Sequence, residues 1–453
     1  MTTHRWATLK LHAFALASAA LLAGTAAAQS PPVPPTDYQL DVNGVDLVTG
    51  EFSFNRGPEL SIGPDGPQGL SWSTTSTLDL LNNWWTGWGV DPATGADQVI
   101  IGHQTDLLMS GASLTGSDAH LQQAVAPAPT NLTAYVTREG VQYVFDPSLL
   151  TYVHGSASTI YYPSGQIVSL QYETAQGTSR LRSVTNNSGY AFRIGYALET
   201  LPSPGDLAGA ANWVTVASVT ALNTTQCGVN DACAQSGSWP SITYNLVGQT
   251  SYLNCPTGCY RTATDAQGRT WRYTYDTYNR LVGVRLPGHS SDSITVTYYD
   301  GTPPSVHTVT NERGTTTYTG SVDSNDKYAT IIVTDASGVN TSAVTPVPLG
   351  PDSLPGYGVG KIVRTVNALG LPTNYSYDSA NRLLRVTKPE GNYVEFTYDG
   401  RGNITQTRQV SKTPTTDPDL ITKANFDASC TNLVTCNQPH WTVDIYGAET
   451  DYT

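Results

Sequence analysis

The stretch GRTWRYTYDTYNRLVGVRLP, residues 268–287, is the most informative part of this chain about its fold. Tyr273 and Tyr275 stand two positions apart, so they share one face of a β-strand. Asp276 follows them and can accept a backbone N–H to begin a turn. Asn279 tolerates the positive φ that closes such a turn, and the residues after it alternate again until a proline. The stretch therefore predicts an antiparallel β-hairpin of about 20 residues.

The same unit recurs along the chain. A glycine is followed seven residues later by tyrosine, usually with aspartate next. The clear copies contain Gly268, Tyr275, Asp276 and Arg280, then Gly370, Tyr377, Asp378 and Arg382, and then Gly391, Tyr398 and Asp399. Looser copies begin at Gly165 and Gly189. A further copy begins at Gly447, and its tyrosine would fall one position past Thr453, so we expect the chain to stop within a repeat.

Repeated hairpins of this kind predict an all-β fold. A lone hairpin is marginal in water, whereas hairpins in series cover one another's edges. We therefore expect the repeats to form an extended or spiralling antiparallel sheet. Composition agrees, because only 13% of residues are charged and tyrosine occurs 26 times against 7 phenylalanines. Tyrosine suits a half-buried strand.

Changes in residue pattern and stretches rich in proline and glycine divide the chain into segments. Residues 37–160 hold short alternating stretches, such as LSI at 60–62 and LSWS at 70–73, and are predicted to form an N-terminal β-rich domain. The other predicted segments are a signal peptide at 1–28, a proline-rich tether at 29–36, degenerate and clear repeats at 161–345, a Pro/Gly-rich loop at 346–358, and repeats at 359–453 with the last one incomplete.

The first residues predict export. Arg5 and Lys10 precede an apolar run at 11–23, and Ala26 to Ala28 supply small residues for cleavage. The run is shorter than the roughly 20 residues that a membrane-spanning helix needs. A cleaved signal is favoured over a retained anchor, and no later segment is apolar enough to span a membrane. We expect a periplasmic, cell-surface or secreted protein.

The net charge of −13 repels phosphate backbones, so nucleic acid is not an expected partner.

The six cysteines suit an oxidising compartment. They form three close pairs, which are Cys227 with Cys233, Cys255 with Cys259, and Cys430 with Cys436. The last pair is expected to bond locally, and the first four allow three pairings. Disulfides are favoured over a metal site, because no histidine stands near enough to complete a zinc set.

The chain shows no catalytic motif. It lacks a Gly-x-Ser-x-Gly elbow, a phosphate-binding Gly-Lys-Ser/Thr loop and a His-Glu-x-x-His pair. We therefore expect no enzymatic activity, no cofactor and no metal, with a secreted hydrolase as the weaker alternative. The repeat aspartates are interpreted as turn formers, not as calcium ligands, because each stands alone in its turn.

Three tryptophans form the other candidate site. Trp84, Trp85 and Trp88 lie within five residues. They could form a platform on which sugar rings stack, or they could fill a core. Large aromatic side chains are more often buried, so a core role is favoured.

The pattern Gly-x6-Tyr-Asp-x2-Asn/Gly-Arg/Asn-Leu/Ile is similar to the YD repeat of the RHS-repeat family. The resemblance is specific over residues 264–288 and 366–409. It implies a long strand spiral that curls into a hollow shell. Family members include secreted or surface-exposed polymorphic toxins, subunits of insecticidal toxin complexes and the animal teneurins. In the toxins of this family the shell encloses an effector. Together with the export signal and the missing catalytic motifs, the resemblance predicts an exported, non-catalytic scaffold, shell or delivery part, with a toxin effector segment as its partner. The alternative is a carbohydrate-binding surface adhesin, with surface glycans as partners.

Overall fold

The computed structural model describes most of the chain from residue 40 to residue 452. The residues within this range that it does not describe are 56, 65–67, 77–81, 92–94, 103, 110–111, 114–118, 125–127, 130, 150–153, 204, 236–238, 249–254, 256–257, 301–304, 324–327, 347–360, 379–381, 415, 429–434 and 436. The predicted signal peptide, the predicted tether and nearly all of the predicted 346–358 loop lie outside the described residues, and so do Cys430 and Cys436.

The described residues form 31 strands, with one α-helix and one short 3-10 helix. The first strands are β1 Leu60–Ile62, β2 Leu70–Trp72, β3 Thr86–Val90, β4 Asp97–Ile101, β5 Gln104–Met109, β6 Ala112–Ser113, β7 His120–Gln123, β8 Thr133–Val136, β9 Gln142–Asp146 and β10 Ser156–Tyr161. The next are β11 Ile167–Ala175, β12 Thr178–Asn186, β13 Tyr190–Tyr196, β14 Val216–Asn223, β15 Ser241–Val247, β16 Cys259–Thr264, β17 Thr270–Tyr275, β18 Leu281–Arg285, β19 Ile294–Tyr298, β20 Val306–Asn311 and β21 Gly314–Val322.

The remaining strands are β22 Tyr328–Thr334, β23 Asn340–Pro346, β24 Arg364–Val366, β25 Pro372–Tyr377, β26 Leu383–Thr387, β27 Tyr393–Tyr398, β28 Ile404–Val410, β29 Leu420–Asn425, β30 Trp441–Val443 and β31 Glu449–Asp451. Helix α1, Leu207–Val214, lies between β13 and β14, and the 3-10 helix Ala232–Gln235 follows β14. No helix in the described part of the chain is long and apolar enough to cross a membrane.

One continuous sheet contains every strand from β3 to β31. Each strand pairs antiparallel with the next along the chain. β1 and β2 pair only with each other. At its beginning the sheet closes on itself, because the Trp88 N–H donates to the Gly155 carbonyl and the His154 N–H donates to the Trp88 carbonyl, at 3.0 and 2.9 Å. The predicted all-β fold of repeated antiparallel hairpins is confirmed.

A five-residue turn joins many of these strands. In the hairpin of β17 and β18, the Asp276 N–H donates to the Arg280 carbonyl and the Asn279 N–H donates to the Asp276 carbonyl, at 3.0 and 3.1 Å. Asn279 has a φ of 64°, which a short polar side chain tolerates. The same two hydrogen bonds occur at 265–269, 335–339, 367–371, 388–392, 399–403 and 444–448.

These turns explain the spacing of the repeat. Gly268 occupies the fourth position of the turn before β17, with a φ of 76°, and Asp276 opens the turn after it. Gly370 and Gly391 stand in the same way before β25 and β27. The motif from glycine to Tyr-Asp therefore spans one strand, from the turn at one edge of the sheet to the turn at the other.

The inner face of the sheet is covered by the chain's own N-terminal part. We call residues 40–84 the inner strap. Strap side chains such as Val45 and Trp72 share one core with Phe192, Tyr273 and Val309. At the far end of the strap, Val48 packs with buried Ala343 and Ile362. The strap thus crosses the sheet from the first strands as far as β23.

Polar contacts fix the strap in place. Trp72 Nε1 donates to the Tyr244 hydroxyl at 3.0 Å, and the Tyr275 hydroxyl donates to the Ser76 carbonyl at 2.9 Å. Further along the sheet, the Val306 N–H donates to the Gly50 carbonyl at 2.8 Å. The predicted boundary at residue 160 stays a prediction, while the strands on its two sides, β10 and β11, pair within the same sheet.

The outer face carries polar ladders. The hydroxyls of Thr297 and Thr308, on neighbouring strands, lie 2.6 Å apart. Near the end of the sheet, Arg408 bonds Glu395 at 3.2 Å and Asp419 at 2.7 Å, and Arg385 also pairs with Glu395. Cross-strand pairs of this kind add to sheet stability. One face is therefore aromatic and apolar, and the other is hydroxylated and charged.

Candidate functional site

Asp276 and Arg280 connect one hairpin to the next strand. Asp276 Oδ1 accepts the N–H groups of Tyr278 and Arg280, both at 2.9 Å, and Arg280 Nε donates to Asp276 Oδ2 at 2.7 Å. The guanidinium carbon of Arg280 lies 4.8 Å from the centre of the Tyr298 ring. The Tyr298 hydroxyl in turn donates to the Leu281 carbonyl at 2.8 Å. We call this cation, carbonyl and tyrosine set the repeat staple.

Four copies of the repeat staple occur in the described part of the sheet. In each copy, an arginine or lysine side chain lies over a tyrosine ring of the following strand. The hydroxyl of that tyrosine donates to the backbone carbonyl of the residue that follows the arginine or lysine. The cation-to-ring distances are 4.5 Å for Arg180 and Tyr196, 4.8 Å for Arg280 and Tyr298, 5.7 Å for Lys361 and Tyr377, and 4.7 Å for Arg382 and Tyr398. The hydroxyls donate to Leu181, Leu281, Ile362 and Leu383 at 2.6–2.8 Å.

Burial controls the protonation of the staple tyrosines. It raises the pKa of the Tyr298 hydroxyl well above that of free tyrosine, and the nearby Asp276 carboxylate raises it further. Burial likewise raises the pKa of Tyr196, although Arg180 and Arg182 act in the opposite direction. Both hydroxyls therefore stay protonated at physiological pH and keep the proton that they donate to the preceding strand.

Arg180 is the most buried cation of the set. Its side chain is 2% exposed and lies between the rings of Tyr196 and Trp213. The guanidinium bonds Glu173 at 2.7 Å and donates to the Trp213 carbonyl at 2.7 Å and the Leu198 carbonyl at 2.9 Å. This one side chain therefore ties β12 to the segment that holds helix α1.

Sequence reasoning placed Arg280 and Arg382 in the motif but missed Arg180, Lys361 and Tyr298. The sequence does contain a pattern that could have identified Arg180 and Lys361. Arg180 and Lys361 each stand sixteen positions before their tyrosine and are followed by leucine or isoleucine, as Arg382 does. The staple of Arg280 spans eighteen positions, so a search for one fixed spacing would not find it.

Removal of one staple hydroxyl should weaken the sheet. We expect Tyr398→Phe to cost about 1 kcal/mol in the free energy of unfolding, because the buried Leu383 carbonyl loses its donor. Urea denaturation followed by circular dichroism measures this cost. The matched control is Tyr446→Phe, since Tyr446 is 88% exposed at a turn tip. Equal shifts for the two variants would contradict the role of the staple.

The tryptophan cluster does not lie on one surface. Trp84 is buried, and its Nε1 donates to the Ser71 carbonyl at 2.8 Å. The Trp88 ring packs against Phe145 and His154, and its Nε1 donates to Asp97 at 3.0 Å. Trp85 is partly buried between them in sequence. The structure thus places Trp84, the last residue of the strap, in the main core and Trp88 against neighbouring strands.

Two of the three predicted cysteine pairs are bonded in the structure. Cys227 is bonded to Cys233, and Cys255 to Cys259. Of the three pairings that the sequence left open for these four residues, the structure therefore has the one in which each cysteine bonds its near neighbour. Cys227 also packs with buried Leu222 in a small cluster on the outer face.

The third predicted cysteine pair differs from the other two. Cys430 and Cys436 both lie outside the described residues, so the local disulfide that was expected between them falls outside the part of the chain that the structure describes. A disulfide between Cys430 and Cys436 therefore stays a prediction.

The repeat aspartates act on the turns. Asp378 accepts the Arg382 N–H at 2.8 Å, and Asp399 accepts the Asn403 N–H at 2.9 Å. Among the described residues, no group of three or more His, Cys, Asp or Glu side chains is arranged to hold a metal ion. The carboxylates of these turns are thus used within their own hairpins.

Comparison with known proteins identifies the repeat. The family model described as RHS Repeat matches residues 261–291, 357–393 and 377–413. These ranges contain the hairpins and two of the staples described above. Residues 261–291 and 357–413 are therefore RHS repeats. No curated protein matches it by sequence.

Several solved structures resemble this chain. The Tc holotoxin pore of Photorhabdus luminescens is 15% identical, with 75% of this chain and 20% of that chain covered and a TM-score of 0.36. A TcdB2–TccC3 structure without its hypervariable C-terminal region is 15% identical, with 81% and 22% covered and a TM-score of 0.35. A TcdB2–TccC3–Cdc42 structure is 16% identical, with 74% and 20% covered and a TM-score of 0.35. The chain spans about a fifth of their length.

Proposed function

We propose that this RHS-repeat protein is an exported, non-catalytic wall of a shell that carries or delivers a toxin effector segment. The observation that supports this most directly is the unbroken pairing from β3 to β31. Each hairpin covers the edge of the one before it, and the staples bind successive hairpins together. Repeat units of this kind are stable only in series, which suits a wall.

The two faces of the wall differ in a way that suits enclosure. Beyond the inner strap, the inner face carries uncharged side chains such as Val386, Val394 and Phe396. The opposite face carries the ion pairs of Arg385, Glu395 and Arg408. Such a wall turns charge towards the solvent and a neutral surface towards its contents. A polypeptide cargo would therefore meet few charged groups that could hold it permanently.

Export and the absence of catalysis are supported by the sequence. The basic start and the apolar run at 11–23 resemble a secretory signal, and the bonded cysteines suit an oxidising compartment. The missing catalytic motifs favour a structural role. The link to a toxin effector comes from the RHS-repeat family, whose secreted members include polymorphic toxins.

Limited proteolysis of the exported full-length protein tests the wall. We expect a resistant block that covers residues 160 onward, because each strand from β11 to β30 is hydrogen-bonded to a neighbour on both sides. The protein recovered from the medium or periplasm should begin at Gln29. Rapid digestion into pieces of one repeat each would contradict a continuous wall, and retention of residues 1–28 would contradict cleavage by a signal peptidase.

A further inference from the structure

A cavity of about 440 Å³ lies between the inner strap and the first strands of the sheet. On one side it is lined by the β1–β2 hairpin, including Ser61 and Leu70. Its lining also includes Trp84 at the end of the strap, and Tyr143 and Tyr162 from the sheet and its turns. Its volume falls within the range of about 300–1,000 Å³ that is usual for small-molecule sites.

The cavity wall is rigid where its polar groups already have partners. Asn83 Nδ2 donates to the Ser71 carbonyl at 2.9 Å, and Trp84 Nε1 donates to the same carbonyl at 2.8 Å. Gln166 Nε2 reaches the Gly69 carbonyl at 3.4 Å. The first two bonds fix Asn83 and Trp84 against the β1–β2 hairpin, and the third joins that hairpin to the turn between β10 and β11.

Two hydroxyl groups remain to be satisfied. The hydroxyls of Tyr143 and Tyr162 have no hydrogen-bond partner among the residues that the structure describes. Burial raises the pKa of Tyr143, with further contributions from Tyr162 and Glu139, and burial also raises the pKa of Tyr162. Both hydroxyls are thus protonated at physiological pH, and each can donate one hydrogen bond and accept others.

None of the described residues that line the cavity is charged. A phosphate, carboxylate or ammonium group would therefore lose its hydration without gaining an ion pair, which is costly. Flat aromatic rings suit the apolar C–H faces of a pyranose, and paired donor and acceptor hydroxyls suit its edge. We propose that this cavity binds a neutral sugar, with the Trp84, Tyr143 and Tyr162 rings against the sugar face and the two tyrosine hydroxyls on its hydroxyl groups.

The proposal goes beyond the wall function and does not depend on it. It also moves the sugar-binding role from a surface platform of three tryptophans to a cavity that only Trp84 of the three lines. The tyrosines come from β9 and from the turn after β10. A sugar site at this position would join the strap to the sheet, so ligand binding would stabilise the contact between them.

Saturation-transfer-difference NMR on the full chain tests the proposal. The probes are glucose, galactose, N-acetylglucosamine and maltose, with glucuronate and glucosamine as charged counterparts. We expect saturation transfer to at least one neutral sugar, and affinity for the charged counterpart of the same ring weaker by about tenfold. Tyr143→Phe and Tyr162→Phe keep the rings and should each weaken binding by about fivefold to tenfold.

The control variant is Tyr278→Phe, which removes a hydroxyl from an exposed turn far along the sequence and should leave binding unchanged. Circular dichroism confirms that each variant is folded. The proposal is overturned if no neutral sugar receives saturation from the folded wild-type chain. It is equally overturned if the double variant Tyr143→Phe/Tyr162→Phe binds as the wild type does, or if the charged counterparts bind as well as the neutral sugars.

Discussion

Replacement of Trp72 by alanine is expected to lower the free energy of unfolding by about 3–5 kcal/mol. Trp72 is 0% exposed, meets the Phe192 ring edge-on with centroids 6.2 Å apart, and donates to the Tyr244 hydroxyl. The change opens a cavity in the core that joins the inner strap to β13 and β15. Urea denaturation measures the loss of unfolding free energy, and hydrogen exchange shows which strands are destabilised.

Hydrogen exchange separates the release of the strap from general unfolding. We expect faster exchange in the strap and in β13 to β15, with β26 to β28 unchanged, because the strap does not contact those strands through Trp72. Val42→Ala is the control within the strap, since Val42 is 86% exposed and its truncation should cost little. Uniform acceleration over the whole sheet would show that Trp72 does not act through the strap.

Replacement of Arg180 by methionine should have the second largest effect, a loss of about 3 kcal/mol. Methionine keeps much of the volume but donates no hydrogen bond. The carbonyls of Leu198 and Trp213 then lose a charged donor, and Tyr196 loses the cation over its ring. The half-exposed partners Glu173 and Glu199 remain solvated, which keeps the loss below that of a fully buried ion pair.

Arg269→Met provides the matched control for Arg180. Arg269 also pairs with a carboxylate, that of Asp265 at 2.7 Å, but its side chain is 61% exposed. An exposed pair contributes about 0–1 kcal/mol. Thermal denaturation of the two variants should therefore differ clearly, and exchange in Arg180→Met should rise first in α1 and the segment around it. Equal melting temperatures for the two variants would mean that the buried guanidinium contributes no more to stability than an exposed ion pair does.

The local features of the repeat could be predicted from the sequence. The strand up to Tyr275, the turn that Asp276 opens and the positive φ at Asn279 all depend on residues within five positions of one another. The strands at 60–62 and in LSWS at 70–73 were also predictable from alternation, and they correspond to β1 and β2. A strand's period of two and the short reach of an aspartate side chain act without help from distant residues.

The position of the inner strap could not be predicted in this way. Trp72 bonds a residue 172 positions away, and Tyr275 bonds one 199 positions away. Alternation shows that one face of each strand is buried, but it does not show what buries that face. The same limit applies to the tryptophan cluster, where neighbouring Trp84 and Trp88 have different surroundings although their sequence contexts are alike.

The hairpins, their tyrosine-bearing face and their aspartate-opened turns could be predicted from the sequence, because those properties arise from contacts between near neighbours. The tertiary structure alone decided that the chain's own N-terminal strap covers the inner face, that cations such as Arg180 and Lys361 lie over tyrosines of the following strand, and that Trp84 meets Tyr143 and Tyr162 around one cavity. Those arrangements depend on how twist and pairing bring distant strands together, and a local pattern does not contain that information.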